Sequence, residues 1–168
     1  MEPLVDVVIE DERWEAVGLA PLALRAGAAV MAEVGLPEAG FTLCLMGCDD
    51  ARIIALNEGF RGKAQATNVL SWPAGELAAG DEGALPDAAE PGAVEEPESL
   101  GDIAIAFDTC AREAAAAGKP MAEHVTHLVV HGMLHLLGYD HIRDGDAAIM
   151  EAVEVRILAT LGLSDPYS

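Results

Sequence analysis

Three histidines near the C-terminal end of the chain have the spacing of metal ligands: His131, His135 and His141. The first two are four positions apart, so on a helix their side chains lie on one face, one turn apart. Gly138 predicts the end of that helix, since glycine readily adopts the left-handed conformation common at helix C-termini. His141 can then turn back to the same point. Three imidazoles that leave a fourth position to water are typical of a catalytic zinc site.

The same spacing, with a glycine at its eighth position, occurs in the metzincin peptidases. Those enzymes carry a glutamate directly after the first histidine, which acts as the general base. Gly132 occupies that position here and cannot exchange protons. Buried core histidines are another interpretation of a pair four apart, but core packing gives no reason for the third histidine. The pattern therefore predicts a metal site and disfavours peptide hydrolysis.

The composition indicates one acidic domain spanning residues 1–168. The formal net charge is −20, from 29 acidic and 9 basic residues, which is unfavourable for a protein that binds phosphates through a basic surface. Eight of the acidic residues and three prolines fall within residues 74–101, which contain no basic residue. We predict that this segment is a flexible, solvated acidic loop.

Two further features concern the compartment. No apolar run approaches the roughly 20 residues that span a bilayer, and the acidic N-terminus lacks the basic region of a signal peptide. The three cysteines have no framework spacing and are expected to be reduced thiols. A cytoplasmic protein is the expectation.

Apolar periodicity and turn residues predict an α+β fold, with about five helices packed on a small sheet of about four strands. The histidine-bearing helix covers residues 121–137, and a last amphipathic helix covers residues 144–161. Asp49 or Asp50 is expected to cap a helix that ends near Gly59, and Asp108 or Thr109 to cap the helix that ends at Ala117. The remaining predicted elements are strands at 4–9, 41–46, 67–72 and 103–107, and a helix at 18–34.

The run from His127 to His141 resembles the signature of the YbeY family of bacterial rRNA maturation factors, which are single-domain metal-dependent endoribonucleases. Residues 56–63, followed by 67–73, and residues 100–105 resemble the same family in the same order. Two residues depart from its pattern, because Ala66 stands where proline is usual and Trp72 where phenylalanine is usual.

The resemblance implies a small mixed sheet surrounded by helices, with a zinc cleft formed by the histidine-bearing helix and the following turn. His131, His135 and His141 match the ligands of one Zn²⁺ per chain, and Arg61 matches an essential arginine near the metal. Arg61 and His131 are the catalytic candidates. The guanidinium of Arg61 could hold two phosphate oxygens at once. Four residues are candidates to support a ligand or line the cleft: Asp140, His127, Ser71 and Asn68.

The resemblance further implies a zinc-dependent, single-strand-specific endoribonuclease in which metal-activated water attacks a phosphodiester. Its expected roles are rRNA maturation, including the 3′ end of 16S rRNA, and ribosome quality control. Its expected partners are rRNA and the small ribosomal subunit together with assembly-factor proteins, without DNA or a membrane. Two alternatives stay open: a metallopeptidase, and a non-catalytic ribosome-assembly factor with a structural metal. The acidic charge favours the second alternative, whereas the absence of an obvious fourth ligand in the sequence disfavours it.

Overall fold

A computed structural model describes residues 3–167, which contain four strands and six helices. The strands are β1 (Val5–Ile9), β2 (Phe41–Cys48), β3 (Val69–Pro73) and β4 (Glu98–Ala106). The helices are α1 (Arg13–Val17), α2 (Leu19–Val34), α3 (Asp50–Arg61), α4 (Phe107–Ala117), α5 (Met121–Leu136) and α6 (Asp144–Thr160). The predicted α+β class is confirmed.

The four strands form one mixed sheet in the order β1-β2-β4-β3. The β1–β2 and β2–β4 pairs are parallel, and β3 lies antiparallel to β4 at the edge. Because β3 is the edge strand, it pairs with β4 on one side and, among the described residues, with no strand on the other. This edge brings the Asn-Val-Leu-Ser segment, residues 68–71, to the histidine-bearing helix.

The two faces of the sheet are covered differently because successive residues of a strand point to opposite faces. On β4, Ile103 and Ile105 belong to the large core, which includes the buried sides of α2, α5 and α6. Ala104 and Ala106 belong to a smaller cluster with Ile53 of α3. The larger core therefore anchors α5, whereas small alanines let α3 approach the opposite face.

One helix and the start of one strand differ most from the sequence-based prediction. Helix α1 was not predicted, and within it Trp14 is fully buried. Strand β4 begins at Glu98 instead of Ile103, because its first residues pair with β2, where Glu98 lies opposite Phe41. This pairing joins segments more than 50 residues apart, so local periodicity could not indicate it.

The helix caps are partly as predicted. Asp49 caps α3, accepting a backbone hydrogen bond in its first turn. The expected cap of α4 was wrong, because α4 begins at Phe107 and Asp108 instead accepts the N–H of Asp50 at 3.0 Å. The carboxylate of Asp50 in turn accepts the N–H of Thr109 at 3.0 Å. The two helix N-termini are thus tied to each other.

The sequence predicts a solvated acidic segment, but in the structure parts of this segment contact the rest of the fold. The Arg143 guanidinium donates to the carbonyl oxygens of Ala79 and Gly80 at 3.0 and 3.1 Å. Leu77 packs against the large core, and Ala89 is buried. These contacts fasten the segment to the start of α6 and to the turn before it. Whether the segment is flexible remains a prediction.

Among the residues described, no helix has the length and apolar character needed to cross a membrane.

Candidate metal centre

The three histidines of the motif converge in space. His131 and His135 project from the last two turns of α5, and Gly138, with φ of 98°, turns the chain so that His141 faces them. The ring centroid of His131 lies 4.6 Å from that of His135 and 5.2 Å from that of His141, and the centroids of His135 and His141 are 5.0 Å apart. The three side chains offer ligand atoms within 4.8 Å of one another. The predicted grouping, and the turn at Gly138 that creates it, are confirmed.

Hydrogen bonds set the tautomers of the two α5 histidines. The Nδ1 atom of His131 lies 2.7 Å from a carboxylate oxygen of Glu154, and Nδ1 of His135 lies 3.0 Å from the carbonyl oxygen of Tyr139. Both partners are acceptors, so each Nδ1 carries the proton and each Nε2 presents a lone pair. The two Nε2 atoms are only 3.0 Å apart. Two lone pairs facing each other repel, and a cation bound by both removes this repulsion, so the arrangement fits a metal ion.

The electrostatics of His135 support the same conclusion. Burial, and then the repulsion from neighbouring imidazoles (His131 and His141) when these are protonated, lowers the pKa of His135 to about 4. His135 is therefore neutral at pH 7, which is the form of imidazole that binds metals.

Glu154 of α6 is fully buried and is the centre of a hydrogen-bond network behind the histidines. Besides His131, it receives hydrogen bonds from His127 at 2.8 Å and from the hydroxyl of Tyr167 at 2.7 Å. Burial alone would raise its pKa, but the hydrogen bonds from the two histidines outweigh burial and lower the pKa to about 2. Glu154 is thus an ionised acceptor, the usual partner of a metal-binding imidazole.

Neither Glu154 nor Tyr167 was identified from the sequence. A signal for Glu154 exists, because it lies three or four positions from the buried residues Met150 and Ile157, on the apolar side of α6. A buried acid on such a face requires a partner. Tyr167 lies after the end of α6, and it reaches Glu154 because the chain turns back there, which no local sequence pattern indicates.

Two of the four supporting candidates, Asp140 and His127, contact different parts of the histidine group. The Asp140 carboxylate accepts the backbone N–H of His141 at 2.7 Å, so it shapes the turn that presents this histidine. His127 contacts Glu154 and lies edge-on to His131, with ring centroids 6.2 Å apart. His127 therefore lies behind the three ligand candidates and is not one of them.

The other two candidates lie on the β3 side of the cleft. Asn68 donates to the Glu113 carboxylate at 3.0 Å and accepts the N–H of Val69 at 2.7 Å, so both the nitrogen and the oxygen of its amide have partners. The Oγ atom of Ser71 would lie 3.1 Å from a Cβ atom placed on Gly132. Ser71 thus faces α5 where that helix comes closest to the sheet.

Gly132 is required for this close approach. An added Cβ would also lie 3.2 Å from Ile103, a buried residue of β4. A glutamate, the general base of the metzincins, would require Ser71 and Ile103 to shift. The packing of α5 on the sheet therefore disfavours a peptidase base at this position.

Arg61 ends α3 and lines the same cleft, which has a volume of about 540 Å³ and also includes the three histidines. Five other arginines form ion pairs with carboxylates: Arg13, Arg52, Arg112, Arg143 and Arg156. Within residues 3–167, Arg61 pairs with no carboxylate, although the chain carries 29 acidic residues. An unpaired guanidinium beside the histidines is available for an anionic ligand.

Comparison with known proteins agrees with these features. The sequence model of a family described as Endoribonuclease YbeY matches residues 13–162. The chain is 60% identical to the Endoribonuclease YbeY of Cereibacter sphaeroides, over 99% of this chain and 100% of that protein. It is 60% identical to that of Ruegeria pomeroyi, over 98% of both chains, and 44% identical to that of Azorhizobium caulinodans, over 98% and 96%.

The fold also resembles a known solution structure, that of TM1509 from Thermotoga maritima. The TM-score is 0.55 at 18% identity, with 98% of this chain and 99% of the other covered. At this identity the likeness concerns the fold alone.

Proposed function

Since this chain belongs to the YbeY family and is an RNA-cleaving hydrolase, we propose that it is a zinc-dependent endoribonuclease that cleaves single-stranded RNA. The membership that its motifs indicated is confirmed by the family match. One observation carries the mechanistic proposal: three histidines with converging ligand atoms share a cleft with an arginine that no carboxylate within residues 3–167 neutralises.

The ligand set favours zinc, one ion per chain. Three imidazoles with a position left open are typical of catalytic zinc, and within the described chain no fourth protein ligand belongs to the group formed by His131, His135 and His141. When bound, the ion supplies Lewis-acid activation of water and of the phosphate.

The protein residues divide the remaining tasks. Glu154 and the Tyr139 carbonyl hold His131 and His135 in the tautomers that direct Nε2 into the cleft. Arg61 binds non-bridging phosphate oxygens and stabilises the negative charge that develops on them during attack. Ser71 and Asp140 line the cleft. Ser71 helps to position the RNA strand, and Asp140 positions His141.

We further propose that the substrate is precursor rRNA, including the 3′ end of 16S rRNA, and that the enzyme also acts in ribosome quality control in the cytoplasm. The net charge of −20 is unfavourable for binding free RNA. The small ribosomal subunit, with assembly-factor proteins, would supply phosphate-neutralising contacts that this chain lacks.

The test is cleavage of a single-stranded precursor rRNA fragment by the purified protein, with zinc measured by elemental analysis. We expect chelation to abolish cleavage and added zinc to restore it. His135→Ala should lose most of the metal. Arg61→Ala should keep the metal and the fold but lose about 10²–10³-fold in kcat, as when one donor to a developing oxyanion is removed.

Arg25→Ala is the matched control for Arg61→Ala. Arg25 is exposed on α2 and, within residues 3–167, also forms no ion pair with a carboxylate, but it lies outside the cleft. Its removal changes the net charge equally and should leave cleavage unchanged. Full zinc occupancy in His135→Ala would refute the metal assignment, and chelator-sensitive cleavage of casein would support the peptidase alternative.

A further inference from the structure

An exposed aromatic side chain lies at the end of α3, next to the cleft. Phe60 is 68% exposed, although large apolar side chains are normally buried. Its ring packs on that of Trp72 in β3, with centroids 5.1 Å apart and planes at 58°. Trp72 in turn packs on the small cluster that joins α3 to the sheet. Trp72 therefore holds Phe60 in place while much of the Phe60 ring meets solvent.

Both members of this aromatic pair are next in sequence to a residue that lines the cleft. Arg61, the next residue after Phe60, lines the cleft, and so does Ser71, the residue before Trp72. Side chains alternate along β3, so Ser71 and Trp72 lie on opposite faces of the edge strand. A polynucleotide that leaves the cleft past Arg61 and crosses the open edge of β3 reaches Phe60.

The charge of the cleft favours a non-ionic contact with RNA. Among the described residues that line it, Arg61 is the one lysine or arginine side chain, and the whole chain carries a net charge of −20. Beyond the phosphate at the metal and Arg61, attraction for the RNA backbone is therefore weak. Stacking of an unpaired base on an aromatic ring does not depend on net charge and is a common way in which proteins bind single-stranded RNA.

We propose that Phe60, supported by Trp72, is a stacking site for an unpaired nucleobase close to the cleaved phosphodiester. The proposal rests on RNA being the substrate. It also gives a physical reason for single-strand specificity, since a base inside a duplex is already stacked on its neighbours and cannot cover the Phe60 ring.

The first test compares variants of the zinc-loaded enzyme on a short single-stranded RNA. Phe60→Leu keeps an apolar side chain but removes the aromatic face, whereas Phe60→Tyr keeps that face. We expect Phe60→Leu to lower kcat/KM by roughly five- to 150-fold, mainly through KM, which is the range for loss of one base–aromatic stack. Phe60→Tyr should behave as the wild type. Leu85→Ala, which alters another exposed apolar side chain outside the cleft, is the control and should have no effect.

The second test places a single abasic site at successive positions of the same RNA. The wild type should lose kcat/KM sharply at one position next to the cleavage site, and Phe60→Leu should lose nothing further there. Equal kcat/KM for Phe60→Leu and the wild type, or an abasic penalty of the same size in both, would overturn the stacking site alone. If the wild type neither binds nor cleaves RNA, the RNA substrate fails and the stacking site fails with it.

Discussion

His131 and Glu154 are joined by a hydrogen bond of 2.7 Å between an imidazole Nδ1 and a fully buried carboxylate. His131 belongs to α5 and Glu154 to α6, so the bond links the histidine-bearing helix to its neighbour in the core. A buried, ionised acid is costly unless it is paired, and here its partners are the groups that face the cleft. Glu154 therefore fixes the imidazole of His131, and would act through it on a metal held by the three histidines.

Replacing Glu154 by glutamine is expected to weaken zinc binding by about 10- to 100-fold, the usual effect of removing such a supporting group. The amide retains the shape of the carboxylate but loses its charge, so His131 becomes a poorer ligand. Competition with a chromophoric chelator measures this affinity. Glu33→Gln, which removes the charge of a surface ion pair with Arg156, should leave zinc affinity as it is. Equal affinity in Glu154→Gln would mean that Glu154 only fills space.

Tyr167 gives a second, graded test of this network. Burial and its hydrogen bond to Glu154 raise the pKa of Tyr167, so its hydroxyl stays protonated and donates at neutral pH. Tyr167→Phe removes one of three donors to Glu154 and keeps the ring against His127. We expect a loss of zinc affinity of about threefold, smaller than for Glu154→Gln, because two donors remain. Additive losses in the double variant would show that the two residues act independently, contrary to this account.

A side chain at Gly132 should destabilise the protein. Gly132→Ala places a methyl group against Ser71 and Ile103, at a cost of about 1–3 kcal/mol, offset by about 1 kcal/mol of helix propensity. We expect the free energy of unfolding in urea to fall by about 1 kcal/mol, the difference between these two effects. Gly59→Ala, in α3 with no atom within 4 Å of the added Cβ, should instead stabilise the protein. If both substitutions stabilise the chain, the close approach of α5 to the sheet is looser than described.

The contacts of the acidic segment predict that it contributes to stability. Arg143→Ala removes the donors to residues 79 and 80 and the ion pair with Asp146. We expect faster hydrogen exchange in residues 77–87 and a loss of stability of about 1.5 kcal/mol, the lower end of the range for hydrogen bonds of a charged group, because Arg143 is partly exposed. Arg52→Ala, which breaks an exposed ion pair with Glu10, should cost less than half as much.

Deleting residues 74–97, the part of the acidic segment that precedes β4, tests its role more severely. Loop length alone has a weak entropic cost, so a passive loop could be shortened with little effect. Because Leu77 covers Gly138 in the turn that presents His141, we expect the deletion to lower both thermal stability and zinc affinity. Unchanged values of both would restore the interpretation of a passive loop.

The tie between α3 and α4 predicts a pH-dependent stability. The hydrogen bond from Arg13, and then that from the Asp50 amide, hold the pKa of Asp108 below its ordinary value. A group with a depressed folded-state pKa stabilises the fold above its unfolded pKa of about 3.9, and this contribution is lost as the pH falls through the folded pKa. Asp108→Asn should therefore be less stable than the wild type at pH 7, with a difference that shrinks below about pH 4. Urea unfolding at both pH values checks the sign.

Local pattern was sufficient where the chemistry depends on residues close in the chain. The four-residue spacing of His131 and His135 follows from helix periodicity, and Gly138 permits the turn that brings in His141. These features need no knowledge of the rest of the fold, so the grouping of the three histidines was predicted from the sequence. Arg61 was found only through the resemblance of its segment to a family, because a lone arginine has no periodic signal.

The tertiary structure decided whatever joins distant parts of the chain. Glu154 and Tyr167 meet His131 because α6 packs on α5 and the following residues turn back, and Phe60 meets Trp72 across the edge of the sheet. Asp108 of α4 accepts the N–H of Asp50 at the start of α3 because these two helices pack side by side. A sequence specifies short-range conformation through propensity and periodicity, whereas these pairs depend on how complete elements bury their apolar faces against one another.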